Sequence, residues 1–248
     1  MTSDMPDAAR FVLVSPSHAA NVGAAARAMK VMGFADLVLV APRRADVLHS
    51  AEAQAMASGA LDVLQGARVV DTLAEALHGT TWACATAMTP RDFGPPTLAP
   101  REHFAALAGS GHRVGFVFGP ERTGLANDDV YRCHACISIP THPEYGSLNL
   151  AQAVQLIAYD WRQSLGGFVV RPRTALPDVA AAEEVEGALA HWQQVLVQIG
   201  YLDPAVPRRL LPRLQQLLNR AQLTREEIHI LRGIARAAAK SAGPQSSE

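Results

Sequence analysis

A parallel α/β fold covered by helices on both faces, with a small helical extension behind it, is predicted by three observations. The strand-like segments are unbroken apolar runs, the pattern of strands buried on both sides, rather than alternating runs with one wet face. Alanine-rich segments with helical spacing separate them, as a sheet built from β-α-β units requires. Beyond residue 165 the strand-like runs cease and only helical patterns follow.

The elements follow in chain order. Residues 11–15 (FVLVS) read as the first strand and 21–32 as a helix of small residues. A strand at 37–41 (LVLVA), a helix at 51–57, a short strand at 67–70 (ARVV) and a helix at 72–77 come next. Then come a strand at 82–87 (WACATA), a helix at 101–107, and strands at 114–118 (VGFVF) and 137–140 (ISIP). The stretch 142–161 (HPEYGSLNLAQAVQLIAYDW) opens as a stiff polar turn and becomes a nearly all-apolar helix. Backbone N–H groups gather at such a helix mouth, so Ser147 reads either as its N-cap or as a residue facing a ligand. The first domain is expected over residues 1–165 and a linker, with a Gly-Gly pair, Pro172 and Pro177, over 166–178. The extension, 179–248, carries helical patterns at 180–199, 208–221 and 224–239, the last opened by the capping box Thr224-Arg-Glu-Glu227. Its terminal SAGPQSSE is expected to be disordered.

With 248 residues, 49% of them hydrophobic, the chain buries a full core. No run reaches the apolar length of a membrane span, and MTSDMPDAAR lacks the basic-then-apolar pattern of a signal peptide. Three cysteines, Cys84, Cys133 and Cys136, make no disulfide framework. A cytoplasmic protein with no membrane partner is expected. A net charge of -1 means that any nucleic acid must be bound through a local patch.

In a parallel α/β sheet the chemistry sits in the loops at the carboxyl ends of the strands. Three such loops are informative: SPSHAANVGAAARAMKVMG, FGPERTGLAND and IPTHPEYGSLNLAQA. The first has glycines only at 23 and 33 where a dinucleotide fingerprint needs three within six residues, and 119–124 lacks the Lys-Ser/Thr of a P-loop. No G-x-S-x-G elbow surrounds Ser147. Cys133-His-Ala-Cys136 has no second ligand pair at metal-binding spacing, so buried inert thiols are the expectation and no metal is expected. His18 reads as a hydrogen-bonded bystander.

Taken together and in this order, NVGAAARAMKVMG, FVFGPERTGL and IPTHPEYGSLNLAQAVQLIAYDW resemble motifs 1, 2 and 3 of the SPOUT RNA methyltransferases, and most closely the TrmJ type of tRNA 2′-O-methyltransferase. The resemblance runs from about residue 11 to 161 and resumes at LLNRAQLTREEIHILRGIARA. It implies a SPOUT-type, Rossmann-like parallel sheet with a C-terminal trefoil knot, S-adenosylmethionine as methyl donor, and a homodimer with active sites at the subunit interface. The apolar residues Leu148, Leu150, Ala151, Val154, Ile157, Ala158 and Trp161 cover much of one helix, which suits a dimer face or burial in one large core. The implied reaction is methylation of the ribose 2′-oxygen of a pyrimidine at position 32 of the tRNA anticodon loop. The alternatives are a SPOUT enzyme acting on ribosomal RNA and a silent RNA-binding relative.

The resemblance also implies roles. Thr86, Ala87, Met88, Gly119, Ile139, Gly146, Ser147 and Leu148 would hold the donor. Arg27 matches the motif 1 arginine placed against the acceptor nucleotide. Guanidinium stays protonated in proteins, so a charge-stabilising role suits it better than that of a base. Asn21 would position Arg27 or cap its helix, and Ser147 with Asn149 would orient the ribose hydroxyl. Glu121 would order Arg27 or Arg122, or accept a proton by way of water. Pro120 stands where close relatives usually carry an arginine. From residue 205 to 240 eight basic side chains stand against two acidic ones, and Arg220, Arg232 and Arg236, with Arg122 in motif 2, are the expected tRNA contacts.

Overall fold

The computed structural model describes residues 9–87, 91–170, 177–206 and 209–242. They form two compact units that divide between Val169 and Val170. Unit one holds strands β1 (Arg10–Val14), β2 (Asp36–Val40), β3 (Arg68–Val70), β4 (Trp82–Thr86), β5 (Thr97–Leu98), β6 (Val114–Phe118) and β7 (Ala135–Ile137). They form one sheet in the order β3-β2-β1-β6-β4-β7-β5, and every neighbouring pair is parallel. Helices α1 (Ala19–Val31), α2 (Ala51–Ala57), α3 (Leu61–Gln65), α4 (Leu73–Ala76), α5 (Pro100–Leu107), α6 (Asn127–Tyr131) and α7 (Leu150–Ser164) cover it.

Both faces are dry, which is why the strands read as continuous apolar runs. Phe11, Leu13, Leu37, Leu39, Phe116 and Phe118 pack under α1, α2, α5 and α7, while Val12, Val38, Val117, Ala83 and Ala85 face α4 and α6. Aromatic rings anchor the first face. Phe11 lies 5.3 Å from Phe116, and Trp161 meets Phe104 at 5.5 Å and Phe116 at 5.6 Å edge-on. Helix α1 crosses α2 so closely that a Cβ on Gly23 would collide with the Ala53 carbonyl.

The order of the sheet positions the site. From β1 the chain builds outward to β2 and β3 on one side, and β6 and β4 lie on the other. The switch point therefore falls between β1 and β6, next to the carboxyl ends of β6, β4 and β7.

Several sequence expectations shift. β5, α3 and α6 were not expected; each has five residues or fewer, too short for a period to show. β7 lies two residues earlier than the expected strand because Ala135–Ile137 is the stretch that pairs with Thr86 and Cys84 of β4. Ser147 is not the N-cap of α7. Asn149 is, with its side chain accepting from the Ala151 N–H at 2.9 Å while Gln152 accepts from its backbone N–H at 3.1 Å. Of the seven apolar residues that suit either a dimer face or one large core, Leu150, Val154, Ile157, Ala158 and Trp161 are buried in the unit's own core. Leu156 and Tyr159 are the exposed large apolar residues of that helix. Cys84, Cys133 and Cys136 are free and buried, and burial pushes the Cys84 and Cys133 thiols up to about 12, so they are inert as expected.

The second unit is a three-helix arrangement of α8 (Ala182–Gln198), α9 (Leu210–Ala221) and α10 (Arg225–Ser241). Its small core joins Val185 and Ala188 to Leu218 and Ile228. The capping box at Thr224 is present: Thr224 Oγ1 accepts from the Glu227 N–H at 3.2 Å, and the Thr224 N–H donates to Glu227 at 2.7 Å. Residues 171–176 of the expected linker and 243–248 of the expected disordered tail lie outside the described residues. Among the described residues no helix is long and apolar enough to cross a membrane.

Candidate active site

A cavity of about 340 Å³ opens at the carboxyl ends of β4, β6 and β7, a volume within the range of small-molecule pockets. Thr86, Ala87, Gly119, Ile139, Gly146, Ser147 and Leu148 all line it. Seven residues singled out from the second and third loops and the end of β4 thus line one cavity, and none from the first loop does. Met88 lies outside the described residues. Pro120, Glu121 and Arg122 line the cavity as well, and so do Arg91 and Thr141, which the sequence reading did not select.

Local backbone chemistry explains the shape. The loop after β6 folds back on itself, with the Gly124 N–H donating to the Pro120 carbonyl at 2.9 Å. A Cβ on Gly119 would collide with the backbone of Gly124 and Leu125, so only glycine lets the loop close this tightly. Pro120 suits a position whose carbonyl accepts this bond and whose ring adds to the apolar wall. Thr86 donates its hydroxyl to the Val117 carbonyl at 2.9 Å, tying the end of β4 to β6.

Glu121 joins the three loops. Its carboxylate accepts from the Ser17 hydroxyl at 2.6 Å, the Ser17 N–H at 3.1 Å, the His18 N–H at 3.2 Å and the Asn21 side-chain amide at 2.9 Å. Asn21 in turn accepts from the Asn149 amide at 2.9 Å. One hydrogen-bonded chain therefore runs from the loop after β6, through Asn21 in the first turn of α1, to the cap of α7. Burial pushes the Glu121 pKa up, but the bonds from Ser17, Asn21 and backbone N–H groups outweigh it and bring it down to about 2. The group is an anion at the mouth of α1, where helix dipole and free N–H groups favour one.

This geometry corrects two expectations. Among the described residues Glu121 makes no ion pair with Arg27 or Arg122; its oxygens are taken up by Ser17, His18 and Asn21. Asn21 sits inside the first turn of α1 rather than capping it, and His18 is the N-cap. His18 is a bystander in side chain but not in backbone, since its N–H holds Glu121. Ser17 was not among the expected site residues; a hydroxyl three residues after a strand and before a helix is its only local signal.

Arg27 is exposed on α1, does not line the cavity, and has no hydrogen-bond partner among the described residues. Arg122 is exposed on the cavity rim. In the extension, Arg220 and Arg236 are exposed, whereas Arg232 is half-buried with its guanidinium against Gly187 of α8. Arg225, another of the basic residues there, is held by Glu184 at 3.2 Å and Asp178 at 3.7 Å.

Comparisons with known proteins identify the family. The model of the SpoU rRNA Methylase family matches residues 8–159, and that of the tRNA methyltransferase TrmJ C-terminal domain matches residues 183–247. The chain is 42% identical over 243 residues to the tRNA (cytidine/uridine/adenosine-2′-O-)-methyltransferase TrmJ of Pseudomonas aeruginosa, covering 93% of each chain. It is 40% identical over 234 residues to the tRNA (cytidine/uridine-2′-O-)-methyltransferase TrmJ of Yersinia enterocolitica, covering 91% of this chain and 89% of that one. The crystal structure of TrmJ from Z. mobilis superposes with a TM-score of 0.78 at 37% identity, over 93% of this chain and 98% of the other. A parallel sheet and a helical extension, matched in sequence and in shape over 93% of the chain, place this chain in the SpoU methylase family, in its TrmJ branch.

Proposed function

We propose that this protein methylates the ribose 2′-oxygen of a pyrimidine at position 32 of the tRNA anticodon loop, using S-adenosylmethionine, as a cytoplasmic homodimer. The observation that carries the reading is the convergence of the second and third motif loops and the end of β4 on one cavity, with the first motif loop tied to them by the bonds around Glu121 and Asn21. The cavity suits the donor. Ala87, Ile139 and Leu148 supply apolar walls, and the loop after β6, folded back tightly because Gly119 has no side chain to meet Gly124 and Leu125, closes one side. When bound, S-adenosylmethionine supplies a sulfonium methyl group as the electrophile.

The chain's own groups then have distinct work. Ser147, on the rim and not engaged as a helix cap, is free to orient a ribose hydroxyl. Asn149 bridges Asn21 and the first turn of α7, so it positions the loop. Glu121 is ionised yet surrounded by donors, which makes it a poor proton acceptor at neutral pH. Arg27 stabilises developing negative charge on the ribose oxygen and neighbouring phosphate. Because Arg27 does not line the cavity of its own chain, a second copy is a natural part of this reading. Helices α1 and α7 pack together, and exposed Val31, Leu156 and Tyr159 on them are suited to that interface. Knotting of the segment that carries the third loop belongs to the same reading. Three buried free thiols suit a reducing compartment.

The test is chemical. After tRNA is incubated with the protein and methyl-labelled donor, alkali should leave the label in a resistant dinucleotide, because a 2′-O-methyl group removes the nucleophile that cleaves the chain. Label in mononucleotides would mean base methylation and would refute the assignment.

A further inference from the structure

Two aromatic side chains stand in water beside the cavity. Tyr145 is 81% exposed and Phe93 is 102% exposed. Neither sits in a loose segment. Tyr145 closes a tight turn, with its N–H donating to the His142 carbonyl at 3.2 Å and the Glu144 N–H donating to His142 Nδ1 at 3.3 Å. Thr141 and Gly146, on either side of that turn, line the cavity. Phe93 follows Arg91, also a lining residue, in a turn closed by the Gly94 N–H on the Arg91 carbonyl at 3.0 Å. Tyr131 anchors that turn by donating its hydroxyl to the Asp92 carbonyl at 2.9 Å. Phe93 is held in the left-handed region at φ +61°, which a non-glycine residue adopts only when its surroundings impose it.

A single exposed ring on a protein surface needs no explanation. Two rings on separate braced turns, at the rim of one cavity that also carries Arg91 and Arg122, are a different matter. Flat apolar faces next to guanidinium groups are what single-stranded nucleic acid recognition uses. Unstacked bases lie on the rings and the cations take the phosphates. From this placement we infer that Tyr145 stacks on the base of the acceptor nucleotide, and Phe93 on a neighbouring base, so that the two turns splay the loop of the RNA over the cavity. Tyr145 takes the acceptor because Ser147, two residues on, lines the same rim. Stacking tolerates any base, so these rings fix where the strand is opened rather than which base is methylated.

The inference rests on RNA as the acceptor, and its test reads binding, not turnover. Full-length protein is titrated into fluorescently labelled tRNA, intact or with an abasic nucleotide at position 32 or at either neighbour. The wild type should lose about tenfold in affinity at an abasic position, in line with stacking on one ring. Tyr145→Ala should bind intact tRNA about tenfold more weakly and be indifferent to the abasic site that Tyr145 serves. Tyr145→Phe should behave as wild type, and Phe93→Ala should show the same indifference at a neighbouring position. Donor affinity should be unchanged in all three variants. Overturning results are wild-type affinity in Tyr145→Ala, a full abasic penalty retained in that variant, or loss of the dimer with equal weakening on every RNA. Abasic discrimination without label transfer by the wild type would sink the methylation reading and leave the stacking standing; transfer without discrimination would do the reverse.

Discussion

Arg27 stands exposed on α1 without a hydrogen-bond partner among the described residues, while Glu121 is held by four donors from Ser17, His18 and Asn21. On the proposed function, the contrast separates a reacting group from a positioning one. Arg27→Ala should leave stability within about 0.5 kcal/mol of wild type, as surface substitutions do, while lowering kcat at least about 100-fold, as loss of a charge-stabilising donor does. Thermal melting and initial rates check both halves. Glu121 has the opposite profile. Its pKa, 4.5 in an ordinary setting, is lowered to about 2 in the fold, so the stabilisation is complete above pH 4.5 and disappears as the pH falls through 2. Glu121→Gln should therefore be less stable than wild type at pH 7, by roughly 1–2 kcal/mol after allowing for partial solvent screening. In urea melts the gap should close below pH 4.5 and be nearly gone near pH 2. The residues that carry this distinction were legible in the three motifs, but their partners were not. Glu121 and Ser17 are 104 positions apart, and nothing local in either segment announces the other.

At the scale of elements, apolar runs revealed the long strands because both faces of each are buried, and alanine spacing revealed α1 because it packs tightly on the sheet and on α2. What escaped was short or set by tertiary pairing. β5 is two residues held to β7 through the Pro96 and Leu98 carbonyls, and its neighbours Pro95, Pro96 and Pro100 argue locally against a strand. The true cap of α7 escaped because Ser147 and Asn149 are both good caps in sequence, and the choice is made by Asn21, which binds Asn149 from another element. The loop after β6 is the element on which the cavity depends most. Gly119→Ala adds a methyl group with no room against Gly124 and Leu125, so that loop must shift. The variant should lose donor affinity about tenfold or more and destabilise the fold by about 1–3 kcal/mol, the range for overpacking a tight site. Calorimetric titration and urea melts check the two effects; undiminished donor binding would mean the loop does not form the cradle.

At the scale of the molecule, charge is divided where chemistry is divided. The chain as a whole is nearly neutral, yet residues 205–240 carry an excess of six positive charges. Salt bridges claim Arg225, and packing partly claims Arg232, which leaves Arg209, Arg213, Arg220, Arg236 and Lys240 exposed on α10, α9 and its N-cap. Removing everything beyond Val169 should weaken tRNA binding by roughly tenfold or more at physiological salt, with a shallower salt dependence, and leave donor binding near wild type. Equal losses in both would count against a dedicated RNA-binding extension. In the first unit, on the proposed reading, the segments that follow β4, β6 and β7, distant in sequence, make one cradle for the methyl donor. A crystal structure of the protein with S-adenosylmethionine tests it most directly. The donor should lie against Ala87, Gly119, Ile139 and Leu148, with Ser147 beside its methyl group; a donor bound elsewhere on the chain, or loops that part from one another around it, would contradict the account.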